Sequence, residues 1–443
     1  MRARIEEYGD YLARLYPELH IDTGYVTPLG IGPRTKTITF QVTDKCNLAC
    51  SYCYQINKGT RRMSLETAKK LVDMLLTGDK GMDDYISPVN SPGIILDFIG
   101  GEPLLEIELI DEIVTYFRTR ALELKHPWAE KFAIQICSNG VLYSQENVQQ
   151  ILNKFHPHLS FSVTLDGNKE LHDSCRLFPD GRPSYDLAKA ACDDWMSKGN
   201  YMGSKITVAP ENVMHVFEAS KHMLDMGYED ININCVYEQV WNNDHALILY
   251  NQLKQFADYL LALDNIEDIY YAFFTEDRYT PISQDYNDNW CGGTGDMLAM
   301  DPDGYLYPCL RYMESSMGDD IVPMRIGHVD NGIAISAEEQ QRIKCLKCIT
   351  RKSQSTDECI NCPIAAGCGW CSAFNYQTYG TANKRTTFIC CMHKAVSLAN
   401  VYFWNKYYKK LNQDKKFKMY CPREWAEPII GETEYEMLLK LSE

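Results

Sequence analysis

From residue 35 to about 265, apolar strand-like runs alternate with amphipathic helical stretches. The strand-like runs are Thr37–Val42, Ile94–Ile99, Phe132–Cys137, Leu159–Leu165, Lys205–Val208 and Ile231–Val236. Between and after them the pattern predicts helices over Ser64–Leu76, Glu108–Leu122, Gln145–Phe155, Tyr185–Lys198, Val213–Met226 and Asp244–Leu263. Six successive βα units argue for an α/β fold, a parallel sheet covered by helices. Such sheets bind ligands at the C-terminal ends of their strands, so the loops that follow the strands are where chemistry is expected. Upstream, residues 1–34 predict a short helical extension around Ile5–Leu15 and a Gly/Pro-rich connection, too little for a domain of its own. Downstream, Lys394–Leu411 is rich in Tyr, Phe, Leu and Val and reads as a helix. The tail to Glu443, with Trp425 and Tyr435, reads as a helical cap over 392–443.

The loop after the first strand is Cys46-Asn-Leu-Ala-Cys50-Ser-Tyr-Cys53-Tyr54. Three thiolates in Cys-x3-Cys-x2-Cys spacing can wrap one corner of a cube-shaped iron–sulfur cluster, which usually takes four, and so leave one iron open. A zinc loop lacking its fourth ligand, or three unrelated buried cysteines, are the plainer alternatives. The loop after the second strand, Gly100-Gly101-Glu102-Pro103-Leu104, pairs glycines that admit close backbone approach with a carboxylate that can meet a positive charge. The third strand ends in Ser138-Asn139-Gly140, a turn signal or a ribose contact. The fourth runs into Thr164-Leu-Asp166-Gly167 and then His172-Asp173-Ser-Cys-Arg176, whose guanidinium can pair two-pronged with a carboxylate.

Composition narrows the partners. The 443 residues carry 45% hydrophobic and 23% charged side chains and a formal charge of −16, an ordinary soluble profile for two or three domains. The acidic balance argues against nucleic acid, which needs basic stripes. No apolar run is long enough to span a membrane, and the N-terminus lacks the apolar core of a signal peptide, which points to the cytoplasm. Of 18 cysteines, ten lie between Cys291 and Cys391, while Cys137, Cys175, Cys192, Cys235 and Cys421 are scattered. Without a secretion signal, metal binding fits that dense third better than a disulfide framework. Asp303-Gly304 followed by Tyr-Leu-Tyr predicts a tight hairpin turn between two strands that brings Cys291 and Cys309 near each other at its open end. Cys345-x2-Cys348, Cys359-x2-Cys362-x5-Cys368-x2-Cys371 and Cys390-Cys391 follow. Two Cys-x2-Cys knuckles would suffice for one zinc, and ten cysteines exceed what one zinc needs.

A strand ending in the three-thiolate loop, followed in order by the Gly-Gly-Glu-Pro, Ser-Asn and Asp-Gly…His-Asp-x-x-Arg loops, resembles the radical S-adenosylmethionine (SAM) enzymes over roughly residues 35–240. The later cysteines resemble the SPASM extension of that family. The resemblance implies a partial (β/α)6 TIM-like barrel over 35–270 and an Fe–S-rich extension over 271–391 built from a small β-hairpin and helices. It implies a [4Fe-4S] cluster on Cys46, Cys50 and Cys53, and S-adenosyl-L-methionine held by Tyr54, Gly100, Gly101, Glu102, Ser138, Asn139, Thr164, Asp166 and Arg176. Thr164 stands where many relatives have Ser. Two auxiliary clusters are implied, one on Cys291 and Cys309 closed by a late cysteine such as Cys371, the other on Cys359, Cys362, Cys368 and either Cys390 or Cys391. The cysteine usual between the hairpin pair is absent; Cys345 or Cys348 could replace it, or that cluster keeps an open iron. Relatives with this extension modify peptides, and Gly367-Cys-Gly-Trp-Cys-Ser-Ala-Phe-Asn-Tyr with Cys390-Cys-Met-His-Lys-Ala looks most like maturases of ribosomally made, cysteine-rich peptides with Cys-x-x-x repeats. Thioether formation is the reaction this implies. Carbon–carbon cross-linking, epimerisation and formylglycine formation are the alternatives, the last weakened because Leu310-Arg311, and no Asp, follows Cys309. A non-catalytic metal scaffold would leave Glu102 and Arg176 without a purpose. The expected partners are a precursor peptide and an external electron donor such as flavodoxin or ferredoxin. Residues 1–34 leave no room for a fused winged-helix domain, so leader recognition falls to the barrel, the C-terminal part or a separate leader-binding protein. No catalytic acid or base is assigned.

Overall fold

The structure is a computed structural model that describes residues 35–289 and 291–443; the expected helix at Ile5–Leu15 and the rest of the 1–34 extension lie outside them. In chain order the principal elements are β1 (Lys36–Thr43), α1 (Leu65–Thr77), β2 (Ile94–Gly100), α2 (Ile107–Glu123), β3 (Phe132–Ser138), α3 (Glu146–Lys154), β4 (Leu159–Val163), α4 (Lys169–Cys175) and α5 (Tyr185–Ser197). Then come β5 (Ile206–Val208), α6 (Val216–Asp225), β6 (Asp230–Ile231), β7 (Ile233–Cys235), α7 (Asn243–Ala262), β8 (Tyr270–Tyr271), β9 (Met297–Met300), β10 (Tyr305–Tyr307), β11 (Gly327–His328) and β12 (Gly332–Ile333). The chain closes with α8 (Ala337–Lys347), α9 (Ser372–Tyr379), α10 (Cys390–Lys410), α11 (Arg423–Ile430) and α12 (Glu432–Ser442). Local chemistry sets many of these boundaries. Ser64 caps α1 by accepting the Thr67 N–H at 3.0 Å, and Ser336 with Glu339 forms a capping box on α8.

These elements form two compact units. One comprises 35–163, 176–202 and 291–349, the other 164–175, 203–289 and 350–443. The first is built on one sheet in the order β12-β11-β10-β9-β1-β2-β3-β4, parallel from β9 through β4 and antiparallel from β9 to β12. The hairpin expected around Asp303-Gly304 is therefore not a free-standing element. Its first strand docks on β1 with Phe40 opposite Met300, which covers an edge of β1 that would otherwise present unpaired backbone groups.

Side chains alternate across this sheet. Ile38, Phe40, Val42, Leu96, Phe98, Ile134, Ile136, Phe161 and Val163 are buried on one face. Helices pack there: Phe117 of α2 meets Phe132 edge-on at 5.3 Å, and Trp195 of α5 meets Phe161 at 5.0 Å. The other face carries Thr39, Gln41, Asp97, Gln135, Cys137, Ser160 and Ser162, with the apolar Ile95 and Ile99 flanking Asp97 on β2. Gln135 and Ser160 on this face are exposed, whereas Thr39 and Asp97 are buried.

In the second unit the expected strand Ile231–Val236 divides. Asn232 gives its N–H to the Ser204 hydroxyl at 2.8 Å while its carbonyl accepts from Ile206, so β6 pairs with β8 and β7 pairs with β5. The long helices α7 and α10 pack along each other. Tyr402 and Lys406 of α10 bind Asp258 of α7 at 2.7 and 2.9 Å, and Phe403 stacks on Phe274 at 4.3 Å.

Phe98 is fully buried and stacks on Phe40 at 5.4 Å. Phe98→Ala should cost about 3–5 kcal/mol, read as a fall in the urea midpoint of the full chain.

Candidate functional site

The cysteine loop is a closed excursion from the end of β1. Thr43 bridges back to Arg62, the Asp44 N–H reaches the Arg61 carbonyl at 3.0 Å, and the Met63 N–H reaches the Val42 carbonyl at 2.9 Å. Asp44 is buried and takes Gln41 Nε2 at 2.7 Å and Arg61 Nε at 2.5 Å, which locks both ends. Inside the loop, the Cys53 N–H meets the Cys50 carbonyl at 3.3 Å and the Leu48 N–H points at Cys46 Sγ at 3.4 Å. Burial pushes the Cys46 thiol up to about 11, so a cation must displace its proton before it can serve as a thiolate ligand. The set of three thiols around a tight turn with an N–H already aimed at sulfur fits a metal cluster. Among the described residues, no three His, Cys, Asp or Glu side chains stand closed around one point.

The Gly100-Gly101-Glu102 loop clamps this excursion. Gly101 N–H donates to the Thr43 carbonyl and Glu102 N–H to the Lys45 carbonyl, both at 2.9 Å. A Cβ on Gly101 would lie 2.4 Å from the Lys45 carbonyl oxygen and 2.7 Å from Cys46 Cβ, so only glycine permits this contact. The Glu102 carboxylate is 1% exposed and takes Ser138 Oγ at 2.7 Å, the Asn139 N–H at 2.9 Å and the Leu104 N–H at 3.0 Å. Burial raises its pKa more than these three donors and the nearby Arg176 charge lower it. Asn139 in turn donates to Asn47 Oδ1 at 2.6 Å, inside the cysteine loop. One carboxylate thus joins the ends of β2 and β3, and Asn139 carries the link to the cysteines.

Arg176 donates to the Tyr52 hydroxyl at 2.9 Å, and Arg311 lies over the Tyr54 ring at 4.8 Å. Tyr52, the aromatic inside the Cys-x2-Cys turn, and Asn47 are members of this site that the motif reading passed over, because neither type is diagnostic by itself. The stretch after Cys309 runs beside the stretch after Cys53. The Asn57 N–H reaches the Ser315 carbonyl at 3.1 Å and its side chain the Met317 carbonyl at 2.9 Å, while Arg61 reaches Asp303, in the turn before Cys309, at 2.8 Å. Thr164 and Asp166 lie in the second unit, where buried Asp166 accepts the Thr207 N–H at 3.1 Å.

The later cysteines form two distinct groups and leave several outside them. In the first unit, the Cβ position of Gly293 lies 3.1 Å from Cys309 Sγ and 3.6 Å from Cys291 Sγ, so a side chain there would enter the space between the two thiols. Cys345 and Cys348 are exposed on and just after α8, with Gln341 Nε2 3.2 Å from Cys345 Sγ. In the second unit, Cys359 and Cys368 lie within electrostatic reach of both Cys362 and Cys390. Burial alone would raise the Cys368 thiol, but the His393 and Arg385 charges and hydrogen bonds bring it down to about 6. Arg385 donates to its Sγ at 2.9 Å. Cys390 and His393 are three residues apart on α10 and share a face, whereas Cys391 is turned roughly 100° away and feels Lys394 but none of these thiols. Between the two cysteines that the sequence left open, the helix turns Cys390 toward the group. Cys371 immediately precedes α9, near Tyr237.

The family described as a 4Fe-4S single cluster domain matches residues 29–170. An uncharacterised protein of Methanocaldococcus jannaschii is 25% identical over 62% of this chain and 84% of its own length. A serine-type anaerobic sulfatase-maturating enzyme of Bacteroides thetaiotaomicron is 31% identical over 32% of this chain and 31% of its own. The radical SAM cyclopropyl synthase TigE of Paramaledivibacter caminithermalis is 20% identical over 82% and 73%. Among solved structures, anSMEcpe with bound AdoMet and Kp18Cys peptide superposes with a TM-score of 0.59 at 16% identity, covering 85% of this chain and 98% of that one. The fold is that of anSMEcpe.

Two predictions follow the geometry. Glu102→Gln must turn an amide NH2 toward an N–H or O–H donor in either orientation, and should destabilise the chain by about 1–3 kcal/mol in a thermal melt. After anaerobic reconstitution, Cys390→Ser should lose about four irons per chain relative to wild type and Cys391→Ser none, by iron and sulfide analysis.

Proposed function

We propose that this chain, a radical SAM protein with a SPASM-type extension, is an enzyme that modifies a cysteine-containing peptide, forming a thioether between a cysteine sulfur and a carbon of another residue. The observation that carries the proposal is the clamp of Gly100-Gly101-Glu102 on the Cys46–Cys53 loop, beside the stretch that leaves Cys309. Cys46, Cys50 and Cys53 would hold the [4Fe-4S] cluster that leaves one iron for SAM, and the clamp's backbone and Arg176 would orient SAM against it. When bound, cluster and SAM supply a 5′-deoxyadenosyl radical; the protein's part is orientation and exclusion of water. Cys291 and Cys309, and separately Cys359, Cys362, Cys368 and Cys390, would hold auxiliary clusters. Gly293 keeps the space between the first pair open, and Arg385 hydrogen-bonds the Cys368 sulfur.

Thioether formation is preferred over formylglycine formation because Leu310, and no Asp, directly follows Cys309, and the next residue, Arg311, lies over the Tyr54 ring. A second reading, carbon–carbon bond formation, is supported by the likeness to a cyclopropyl synthase along most of the chain. An electron donor such as flavodoxin or ferredoxin completes the proposal. No helix among the described residues is long and apolar enough to cross a membrane.

Anaerobically reconstituted protein should carry about twelve irons, for three four-iron clusters. It should release deoxyadenosine under reduction, and a Cys46/Cys50/Cys53 triple-Ala variant should release none. With a synthetic peptide of Cys-x-x-x repeats, the product should be about two mass units lighter per link, with one cysteine per link lost to alkylation (simple stoichiometry of an oxidative coupling). Zinc in place of iron, or turnover by the triple variant, would overturn the proposal; a two-unit loss with every cysteine still alkylatable would favour the carbon–carbon reading.

A further inference from the structure

The polar face of the first unit's sheet holds one row that crosses five strands in register: Ala299, Thr39, Asp97, Gln135 and Ser160. The row above it contains Gln41, Ile99, Cys137 and Ser162. Asp97 sits in the middle of the lower row, three residues before Gly100. That is about 10 Å along the strand from the clamp on the cysteine loop. A carboxylate on a central parallel strand is costly unless something uses it, since such strands are usually apolar throughout. Asp97 is 6% exposed and its Oδ2 takes the Thr39 hydroxyl at 2.8 Å. It lies within electrostatic reach of Tyr54, as do Cys53, Cys137 and Arg311, the last stacked on the Tyr54 ring. Asp97 therefore stands in the strand row below the clamp and near Tyr54, whose surroundings also hold two thiols and the Arg311 guanidinium. Leu310 and Arg311 directly follow Cys309, so no carboxylate reaches this region from those two positions.

We infer that Asp97 is the catalytic base of the reaction, taking the proton of the substrate peptide's thiol. The inference rests on the reading of the chain as a thioether-forming maturase. In the step, one C–H and one S–H bond of the peptide break and one C–S bond forms. The hydrogen atom from carbon goes to the deoxyadenosyl radical, which becomes deoxyadenosine. The thiol proton goes to the Asp97 carboxylate. The remaining electron goes to an oxidised auxiliary [4Fe-4S] cluster, which is reduced by one electron. Thr39 orients the carboxylate, and Arg311 supplies a positive charge on the Tyr54 side of the site for the thiolate as it forms.

The test uses the full reconstituted chain with the synthetic Cys-x-x-x repeat peptide and the variants Asp97→Asn and Asp97→Glu. Iron content and peptide binding, by anaerobic fluorescence titration, are read for each beside turnover. At pH 7, Asp97→Asn should lower the ratio of cross-linked peptide to deoxyadenosine about 100-fold or more, the usual contribution of a general base, while iron and peptide affinity stay at wild-type levels. Its ratio should climb as the pH passes the ordinary thiol value of about 8.5, where the peptide ionises unaided; Asp97→Glu should retain more of the wild-type ratio at pH 7. A wild-type ratio in Asp97→Asn would overturn the inference, as would a loss that high pH does not rescue or one that follows iron loss. If wild-type protein cleaves SAM but leaves the peptide at its original mass, the thioether reading itself fails and the inference falls with it.

Discussion

The structure around the cysteine loop depends on a short exchange of backbone hydrogen bonds between two parallel strand ends. Gly101 and Glu102 donate to the carbonyls of Thr43 and Lys45, and that exchange is possible only because position 101 has no Cβ. Everything nearby is arranged from this contact. Glu102 spends its carboxylate on β3, Asn139 reaches Asn47, and Tyr52 reaches Arg176. A loop of three thiols would otherwise be a floppy chelate that loses considerable entropy on closing around a metal. Here the backbone is stapled at entry, exit and middle before any metal arrives.

Glu102 illustrates how a buried charge is made tolerable. A desolvated carboxylate is expensive, and three donors from the ends of β2 and β3 offset that cost, none of them a cation. Burial still raises its pKa, so the group is sensitive to any positive charge brought near the clamp. The same logic acts at Cys368, where His393 and Arg385 outweigh burial and favour the thiolate. The two sites use opposite balances of one principle, desolvation against local donors.

Much of this was legible in the sequence. Each of the six strand-like runs contains a strand, and the helices following them begin and end within a few residues of the patterned stretches, because a buried parallel sheet leaves strong apolar signatures. What could not be read was partner choice. Nothing in Met297–Met300 says that it lies parallel on β1, since short apolar strands carry no address. The split at Asn232 depends on a hydroxyl 28 residues away. Cys390 and Cys391 are equivalent as letters and differ only once a helix turns one toward Cys368. Asp97 hides inside an apolar strand and shows its place only when the register puts it in a polar row.

The parallel docking of β9 on β1 makes the sheet a ruler. The strand that leads to Cys46 and the strand that begins the hairpin to Cys309 share one hydrogen-bonded ladder, fixed at Phe40 opposite Met300. The separation between the two thiol-bearing loops is thus set by the pleat of the backbone, which substitutions in the apolar layer do not alter. Core residues are free to drift in identity while the interval between the two loops stays constant, as a gauge does when its handle is replaced.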